Sequence, residues 1–161
     1  MPSKERPLPP LTSSEEGFLR ALGRVMLAVP RVVDADMVRD ARITLSEYTA
    51  LMYLSEAPGA HLRMSELAAI CNLSLSGMTR VVNRLEKQGF VQRVKCDEDR
   101  RGWNAVLTDS GLERLREAWP THLASVRRHI MDHLGPYDLT QLTTALQHIA
   151  TGPAPAADRD A

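Results

Sequence analysis

Six side chains that can hydrogen-bond or carry charge fall on one side of a predicted helix running from Leu75 to Gln88. At about 100° per residue the helix brings hydroxyl, amide, guanidinium and ammonium groups together, on Ser76, Thr79, Arg80, Asn83, Arg84 and Lys87. Groups of these types can hydrogen-bond to base edges in a DNA major groove and to backbone phosphates. The pattern therefore predicts a DNA-reading helix.

The opposite side of this helix is apolar, and its side chains are Leu75, Met78, Val81, Val82 and Leu85. Ser74 is a favourable N-cap and Gly89 suits the position after the C-cap, so the sequence marks both ends of the helix. By itself the pattern fits equally well a solvated amphipathic helix that binds nothing, because most such helices only cover a core. The segment that follows favours the first interpretation.

After Gly89 the periodicity changes from helical to alternating, which is typical of strands. The β-forming residues come in two groups, namely Phe90, Val91 and Val94, and then Ala105, Val106 and Leu107. Between the groups, the run DEDRRG at residues 97–102 is too polar to be buried. The sequence therefore predicts a two-stranded hairpin with a charged tip, the wing of a winged helix.

A short helix is predicted before the reading helix, from Met64 to Cys71, with its inward side chains at Leu67, Ala68 and Ile70. Only residues 72–74 separate the two helices, and helices joined by so short a turn must cross at a large angle, as in a helix-turn-helix. Upstream, the capping-box pattern of residues 44–47 opens another helix whose inward side chains are Tyr48, Leu51, Met52 and Leu54. We assign residues 41–118 to a winged-helix DNA-binding domain.

Both ends of the chain carry amphipathic helices with more apolar surface than this domain needs. In residues 14–40, which Ser13 or Ser14 is expected to cap, the stripe consists of Phe18, Leu22, Val25 and Val29, and Pro30 is expected to kink or interrupt the helix. A long helix is predicted to begin at Thr108 and to end at Gly135-Pro136, and a last helix follows it. Residues 119–150 contain the second part of the long helix and the last helix. The long helix presents Leu112, Leu115, Trp119, Leu123, Val126 and Ile130, and the last helix presents Leu139, Leu142, Leu146 and Ile149. We expect these helices to form a dimerisation layer, with residues 1–13 and 151–161 as disordered ends.

The composition of the 161-residue chain fits a mainly α protein with a local basic patch. Formal net charge is zero, but residues 63–101 hold eight Lys or Arg against five Asp or Glu, which is +3, and the rest holds twelve against fifteen, which is −3. A basic excess confined to the reading segment is expected of a groove-binding surface. No apolar run approaches the roughly 20 residues that span a bilayer, and the Pro-rich start lacks the apolar region of a signal peptide. We therefore expect a cytoplasmic protein.

The order of elements and several motifs resemble the MarR family of winged-helix transcriptional regulators. The resemblance rests on MSELAAICNLS, on RVVNRLEKQGFVQRVKCDEDRRGWNAVLTDSG, and above all on the D-x-D-R-R wing with L-T-x-x-G after it. It covers roughly residues 17–149 and is most specific in the wing and the helix before it. It implies a homodimer that binds a pseudo-palindromic operator in double-stranded DNA, usually as a repressor, and releases it when a small, often aromatic, ligand binds.

The resemblance also implies roles for single residues. Ser76, Thr79 and Arg80 would face bases, whereas Asn83, Arg84 and Lys87 would lie near phosphates. In the wing, Arg101 matches an arginine that enters the minor groove, Asp99 matches the acid that holds it, and Arg100 would contact the DNA backbone or the wing itself. Gly77 departs from the pattern, since glycine in a helix costs about 1 kcal/mol against alanine.

Other functions find less support in the sequence. No glycine loop for phosphate and no nucleophilic triad or carboxylate pair has a recognisable setting, so we expect neither an enzyme nor a bound cofactor. A winged helix used only for protein assembly stays open as an alternative.

Three sites are candidates for sensing the signal that releases DNA. A pocket with Tyr48 and Trp119 is the ordinary expectation for a small ligand. A redox-sensing variant would use Cys71 or Cys96. Metal sensing would use His122, His129 and His133, of which the last two are four residues apart, but no further ligand completes such a site.

Overall fold

Six α-helices and three short strands make up the residues that a computed structural model of the chain describes, 8–95 and 102–151. The helices are α1 Ser13–Asp36, α2 Leu45–Glu56, α3 Met64–Ile70, α4 Leu75–Lys87, α5 Asp109–His129 and α6 Leu139–Thr151, and the strands are β1 His61–Arg63, β2 Val91–Lys95 and β3 Trp103–Leu107. Cys96 and the predicted wing-tip residues Asp99, Arg100 and Arg101 lie outside the described residues, as do residues 1–7 and 152–161. The predicted mainly α winged helix is confirmed.

The sheet has three strands where the sequence predicts two. Strands β2 and β3 pair antiparallel, with Val91 opposite Leu107, as the hairpin prediction requires. Strand β1 adds to the other edge of β3, with His61 opposite Val106, so the strand order is β1-β3-β2. A three-residue strand is too short to show an alternating pattern in the sequence. It forms because the free edge of β3, far along the chain, supplies its hydrogen-bonding partners.

Side-chain caps begin α2 and α4 as predicted. Thr44 Oγ1 accepts from the Glu47 backbone amide while the Glu47 carboxylate accepts from the Thr44 amide, which confirms the predicted capping box. Ser74 Oγ accepts from the Gly77 amide at 3.1 Å. A Cβ at residue 77 would lie 3.2 Å from Ser74 Oγ, so glycine leaves this cap uncrowded. Gly89 ends the segment with a φ of 78°, a conformation that glycine adopts without strain.

The first helix differs from its prediction at both ends. Its N-cap is Thr12, whose hydroxyl accepts from the Glu15 amide, and not Ser13 or Ser14. The helix is not interrupted at Pro30. It stays α-helical to Asp36 and then changes to a π-helical turn, Met37–Ala41. Pro30 is exposed, so its ring is not packed in the core, and its missing amide costs one hydrogen bond without ending the helix.

The apolar core lies beneath the reading helix. Four of the five residues predicted to face inward from α4 are buried, namely Met78, Val81, Val82 and Leu85, and they pack with Leu51, Leu54, Leu67, Val91 and Ala105. Leu75 and Ile70 were also predicted to face inward, and these two predictions are wrong, since their side chains are 55% and 44% exposed. Leu75 is the first residue of α4 and Ile70 the last of α3, where the neighbouring helices no longer cover the side chain.

Helix α5 buries small residues and leaves much of the predicted apolar stripe exposed. Gly111, Ala118 and Ser125 are buried at a spacing of seven residues, whereas Trp119 and Leu123 are exposed. Small side chains let α5 lie close to its neighbours, which include α1 and α2. The helix ends at His129 and not at Gly135, and a short 3₁₀ turn, Met131–His133, follows it.

A buried carboxylate joins α1 to α5. The Asp36 side chain accepts a hydrogen bond from Ser125 Oγ at 2.8 Å and from Arg39 Nη2 at 2.7 Å, and His129 Nε2 lies 3.0 Å away. The bond from Ser125, assisted by those from His129 and Arg39, outweighs burial and lowers the pKa of Asp36 from 3.8 to about 2. Charge-assisted hydrogen bonds of this kind fix the geometry of the two helices.

The DNA-reading unit and α5 meet in a tight backbone junction. Thr108 Oγ1 and Ser110 Oγ both donate to the Gly89 carbonyl, at 2.7 and 2.9 Å. The Thr108 amide donates to the Phe90 carbonyl at 3.1 Å, and the Gly111 amide donates to Thr108 Oγ1. A Cβ at residue 111 would lie 2.1 Å from the Phe90 oxygen. The junction explains why threonine and glycine stand three residues apart after β3.

We expect Gly111→Ala to lower the free energy of unfolding by about 1–3 kcal/mol, the cost of forcing extra volume into a packed site. Denaturant unfolding at fixed protein concentration measures the change. Gly17→Ala is the control, because a Cβ there meets nothing within 4 Å and alanine favours the helix by about 0.5–1 kcal/mol. A Gly111→Ala protein as stable as wild type would contradict the close approach.

Candidate nucleic-acid interface

The outward face of α4 presents its polar side chains as predicted, although not all to the same degree. Ser76, Arg80, Arg84 and Lys87 are exposed, whereas Thr79 and Asn83 are half-buried. Thr79 Oγ1 donates to the Leu75 carbonyl one turn earlier, at 2.8 Å, so its hydroxyl oxygen is left to accept. The Asn83 Oδ1 atom is buried without a hydrogen-bond partner among the described residues.

Arg80 and Lys87 are the two cations of this face that are unpaired within the described residues. Within residues 8–95 and 102–151 neither makes an ion pair or a side-chain hydrogen bond. A cation without a partner in its own chain can bind a phosphate or a base edge without first breaking an internal contact. Both side chains are therefore available to an external ligand.

Arg84 differs from these two because one of its nitrogens is bound within the chain. Its Nε donates to Glu47 Oε1 at 2.7 Å, and its side chain stays 49% exposed. Burial raises the pKa of the Glu47 carboxyl, but hydrogen bonds from Arg84 and from Thr44 outweigh it and hold the pKa below its ordinary value. Glu47 is therefore charged at neutral pH.

The wing strands add side chains that the sequence analysis missed. Trp103 is 45% exposed, and Lys95 Nζ lies 5.8 Å from the centre of its ring. A cleft of about 350 Å³ separates the wing from the reading helix, with Arg63, Ser65, Thr79, Arg93 and Trp103 among the residues that line it. Arg93 is paired with Glu86 of α4 at 2.7 Å, which ties the wing to the helix. Trp103 shares a face of β3 with the buried Ala105, so the alternation of the strand does not predict that it is exposed.

Tyr48 and Trp119, the two residues predicted for a ligand pocket, line one pocket. Its volume is about 350 Å³, and the other lining residues are Met52, Ser55, Glu56, Leu115 and Arg116. The Tyr48 ring stacks on His122 with centroids 4.4 Å apart. The Tyr48 hydroxyl is buried and has no hydrogen-bond partner in the described part of the chain, and burial raises its pKa to about 12. A neutral phenol is thus held beside the pocket.

The three histidines considered for metal are not brought together. His122 packs on Tyr48, and burial lowers its pKa. His129 contacts Asp36, and α5 ends there, so His133 does not follow it on one helical face. The described residues contain no group of three side chains that could hold a metal ion.

Cys71 is poorly suited to sensing oxidant. It is half-buried, and burial raises the pKa of its thiol to about 11. The thiolate is the form that reacts with oxidants, so little of this thiol is in the reactive form at neutral pH. Cys96, the other candidate, lies outside the described residues.

A helix-turn-helix with a wing, whose reading helix presents unpaired cations, defines a DNA-binding winged helix. The family model described as "MarR family" matches residues 43–102. The structure of AbsC, a MarR family transcriptional regulator from Streptomyces coelicolor, is 39% identical, covering 89% of this chain and 97% of that one with a TM-score of 0.78. The chain belongs to the MarR family of transcriptional regulators.

Two further proteins are similar to this chain. Sco3205, a MarR family regulator from Streptomyces coelicolor solved in complex with DNA, is 34% identical over 95% of this chain and 97% of that one, with a TM-score of 0.81. The transcriptional repressor MprA of Escherichia coli is 33% identical over 84 residues, which are 52% of this chain and 48% of that protein. The chain thus matches about half the length of that curated relative. Among the described helices, none is both long and apolar enough to cross a membrane.

We expect Tyr48→Phe to keep the free energy of unfolding or raise it by up to about 1 kcal/mol, because it removes a buried hydroxyl that has no partner. Ser125→Ala is the matched control. It removes a buried hydroxyl that donates to Asp36 and should lower stability by about 1–3 kcal/mol, since a charged acceptor loses its donor. Thermal unfolding compares the two. Equal losses would show that the Tyr48 hydroxyl is satisfied.

Proposed function

We propose that this regulator is a homodimeric repressor that binds a pseudo-palindromic operator and releases it when a small aromatic ligand binds. The observation that carries the proposal is the division of α4 into a buried apolar face and an outward face with unpaired cations. Burial of one face holds the helix rigidly, and the other face is then free to enter a major groove. Sco3205, with a similar fold, is solved in complex with DNA, which supports this use of the domain at residues 41–118.

Each polar side chain of the reading helix receives a role under this proposal. Ser76, Thr79 and Arg80 read base edges, because they lie on the first two turns of α4. Asn83, Arg84 and Lys87 follow nearer its end and contact phosphates, which fix register and orientation. From the resemblance, Arg101 enters the minor groove with Asp99 and Arg100 in support.

The homodimer is supported by apolar surface that the chain does not cover itself. On α1 the exposed apolar side chains include Phe18, Leu19, Val25, Met26 and Leu27, and on α6 they are Leu139, Leu146 and Ile149. A groove between α5 and α6 is lined by Leu123, Val126, Met131, Leu134 and Tyr137, among others. Contiguous apolar patches of this kind mark interfaces. We assign residues 14–40 and 119–150 to the dimer layer, and a second copy of the chain covers their exposed apolar side chains.

The ligand site of the proposal is the pocket at Tyr48 and Trp119. Two aromatic residues and Leu115 suit a planar apolar ring. Arg116 at the same pocket suits a carboxylate. The pocket lies between α2 of the reading domain and α5, which continues from the reading domain into the dimer layer, so a ligand there can favour one arrangement of the two over another.

Selection of bound duplexes from a random DNA pool tests DNA binding directly. We expect wild-type protein to enrich a sequence with two related half-sites about 34 Å apart, which is one helical turn. Failure to enrich any sequence would favour an assembly module.

Arg80→Ala should lose about 1–3 kcal/mol of discrimination between the selected operator and a variant altered at one base, because a guanidinium forked onto a base is lost. Lys87→Ala is the comparison. It should weaken binding to all sequences alike and lower the slope of affinity against salt by about one for each contact. Gel-shift titrations at several salt concentrations measure both. Identical behaviour of the two variants would contradict the division of roles.

Leu146→Glu should shift the protein from dimer to monomer and weaken operator binding, because it places a charge in the proposed interface. Sedimentation velocity measures the assembly state. Thr144→Glu adds the same charge on the opposite side of α6 and should stay dimeric. A wild-type protein that sediments as a folded monomer would overturn the dimer.

A further inference from the structure

The ion pair between Arg84 and Glu47 links two residues that are far apart in sequence and sit on different helices. Arg84 lies on the outward face of α4, and Glu47 lies in the first turn of α2, 37 residues earlier. The Glu47 side chain is only 8% exposed, whereas that of Arg84 is 49% exposed. The carboxylate is therefore buried beneath a guanidinium that faces solvent.

Glu47 is held in place by several other contacts. Its Oε2 accepts from the Thr44 amide at 3.0 Å and from the Thr44 hydroxyl at 2.9 Å. The next amide, that of Leu45, donates to Asp34 Oδ1 of α1 at 2.7 Å. The start of α2 is thus fixed to α1. The Glu47 carboxylate, which binds Arg84, is held to the start of α2.

The contact uses one edge of the Arg84 guanidinium and leaves the other available. Glu47 binds Nε, and in the described residues no hydrogen bond engages either Nη. A guanidinium is planar with its five donors in a rigid fork, so fixing Nε also fixes the direction of both Nη groups. A side chain oriented in advance loses less conformational freedom when it binds.

We propose that Glu47 is a positioning residue for DNA binding, which holds Arg84 so that its two Nη groups meet the DNA backbone. The proposal rests on the proposed function and adds to it a residue that does not touch DNA. Because the same carboxylate caps α2 and α2 is tied to α1, the position of Arg84 depends on the arrangement of the helices behind the reading helix.

Removal of the Glu47 charge has two opposite effects, and they can be separated. Loss of a negative charge near DNA strengthens binding to phosphates whatever residue stands at position 84. Loss of positioning weakens binding only when Arg84 is present. A double-mutant cycle between the two positions distinguishes these effects, since interacting residues are not additive.

The experiment measures the affinity of full-length wild type, Glu47→Gln, Arg84→Ala and the double variant for the operator selected from the random pool. We expect Glu47→Gln to weaken binding about ten-fold in the wild-type background, the size of one lost charged contact, and not to weaken it in the Arg84→Ala background. Arg84→Lys should resemble Glu47→Gln, because one ammonium group cannot bind the buried carboxylate and still reach DNA as the fork does.

The matched control is Glu15→Gln, which alters the same kind of capping box at the start of α1, and the Glu15 carboxylate binds no arginine among the described residues. It should leave operator affinity unchanged. A change in operator affinity caused by Glu47→Gln that is the same with and without Arg84 would overturn the proposal. If Glu47→Gln does not fold, the same cycle is measured with Glu47→Asp, which keeps the charge but shortens the side chain that holds Arg84 Nε. If wild-type protein enriches no DNA sequence, the proposed function fails first.

Discussion

The close backbone contact between the end of the reading helix and the start of α5 is the constraint on which the rest of the structure depends. The Gly89 carbonyl accepts two hydroxyl hydrogen bonds, from Thr108 and Ser110. Gly111 lets α5 begin directly against the Phe90 carbonyl. Since β2 and β3 lie between these two points of the chain, the junction closes the wing into a loop and ties the reading helix, the sheet and the long helix together.

From this junction the molecule separates into a part that buries its apolar residues and a part that does not. Helix α4 packs Met78, Val82 and Leu85 into the core, so its polar side is presented as a rigid surface. Helices α1 and α6 leave apolar side chains exposed, and a second copy of the chain is the partner proposed for them. Asp34 connects the two parts, because it lies near the end of α1 and its Oδ1 accepts a hydrogen bond from the Leu45 amide of α2.

Sequence reasoning succeeded where local patterns carry the information, and it failed where a partner distant in the chain decides the outcome. The caps at Thr44 and Ser74 and the buried face of α4 follow from neighbouring residues, and they are confirmed. The strand at His61–Arg63 was missed because it forms only on the edge of β3. Wing residues Asp99, Arg100 and Arg101, and the base and phosphate roles on α4, stay predictions.

The sequence by itself determined the order of the elements, the DNA-reading helix with its two faces and the family of the protein, because these depend on periodicity and on short motifs. Only the tertiary structure decided what each polar group binds. It paired Arg84 with Glu47, placed His129 on Asp36 rather than with His133, and turned Gly111, Ala118 and Ser125 of α5 inward. Each of these depends on how closely two helices approach, and that distance is set by the packing of all their neighbours and by no local pattern.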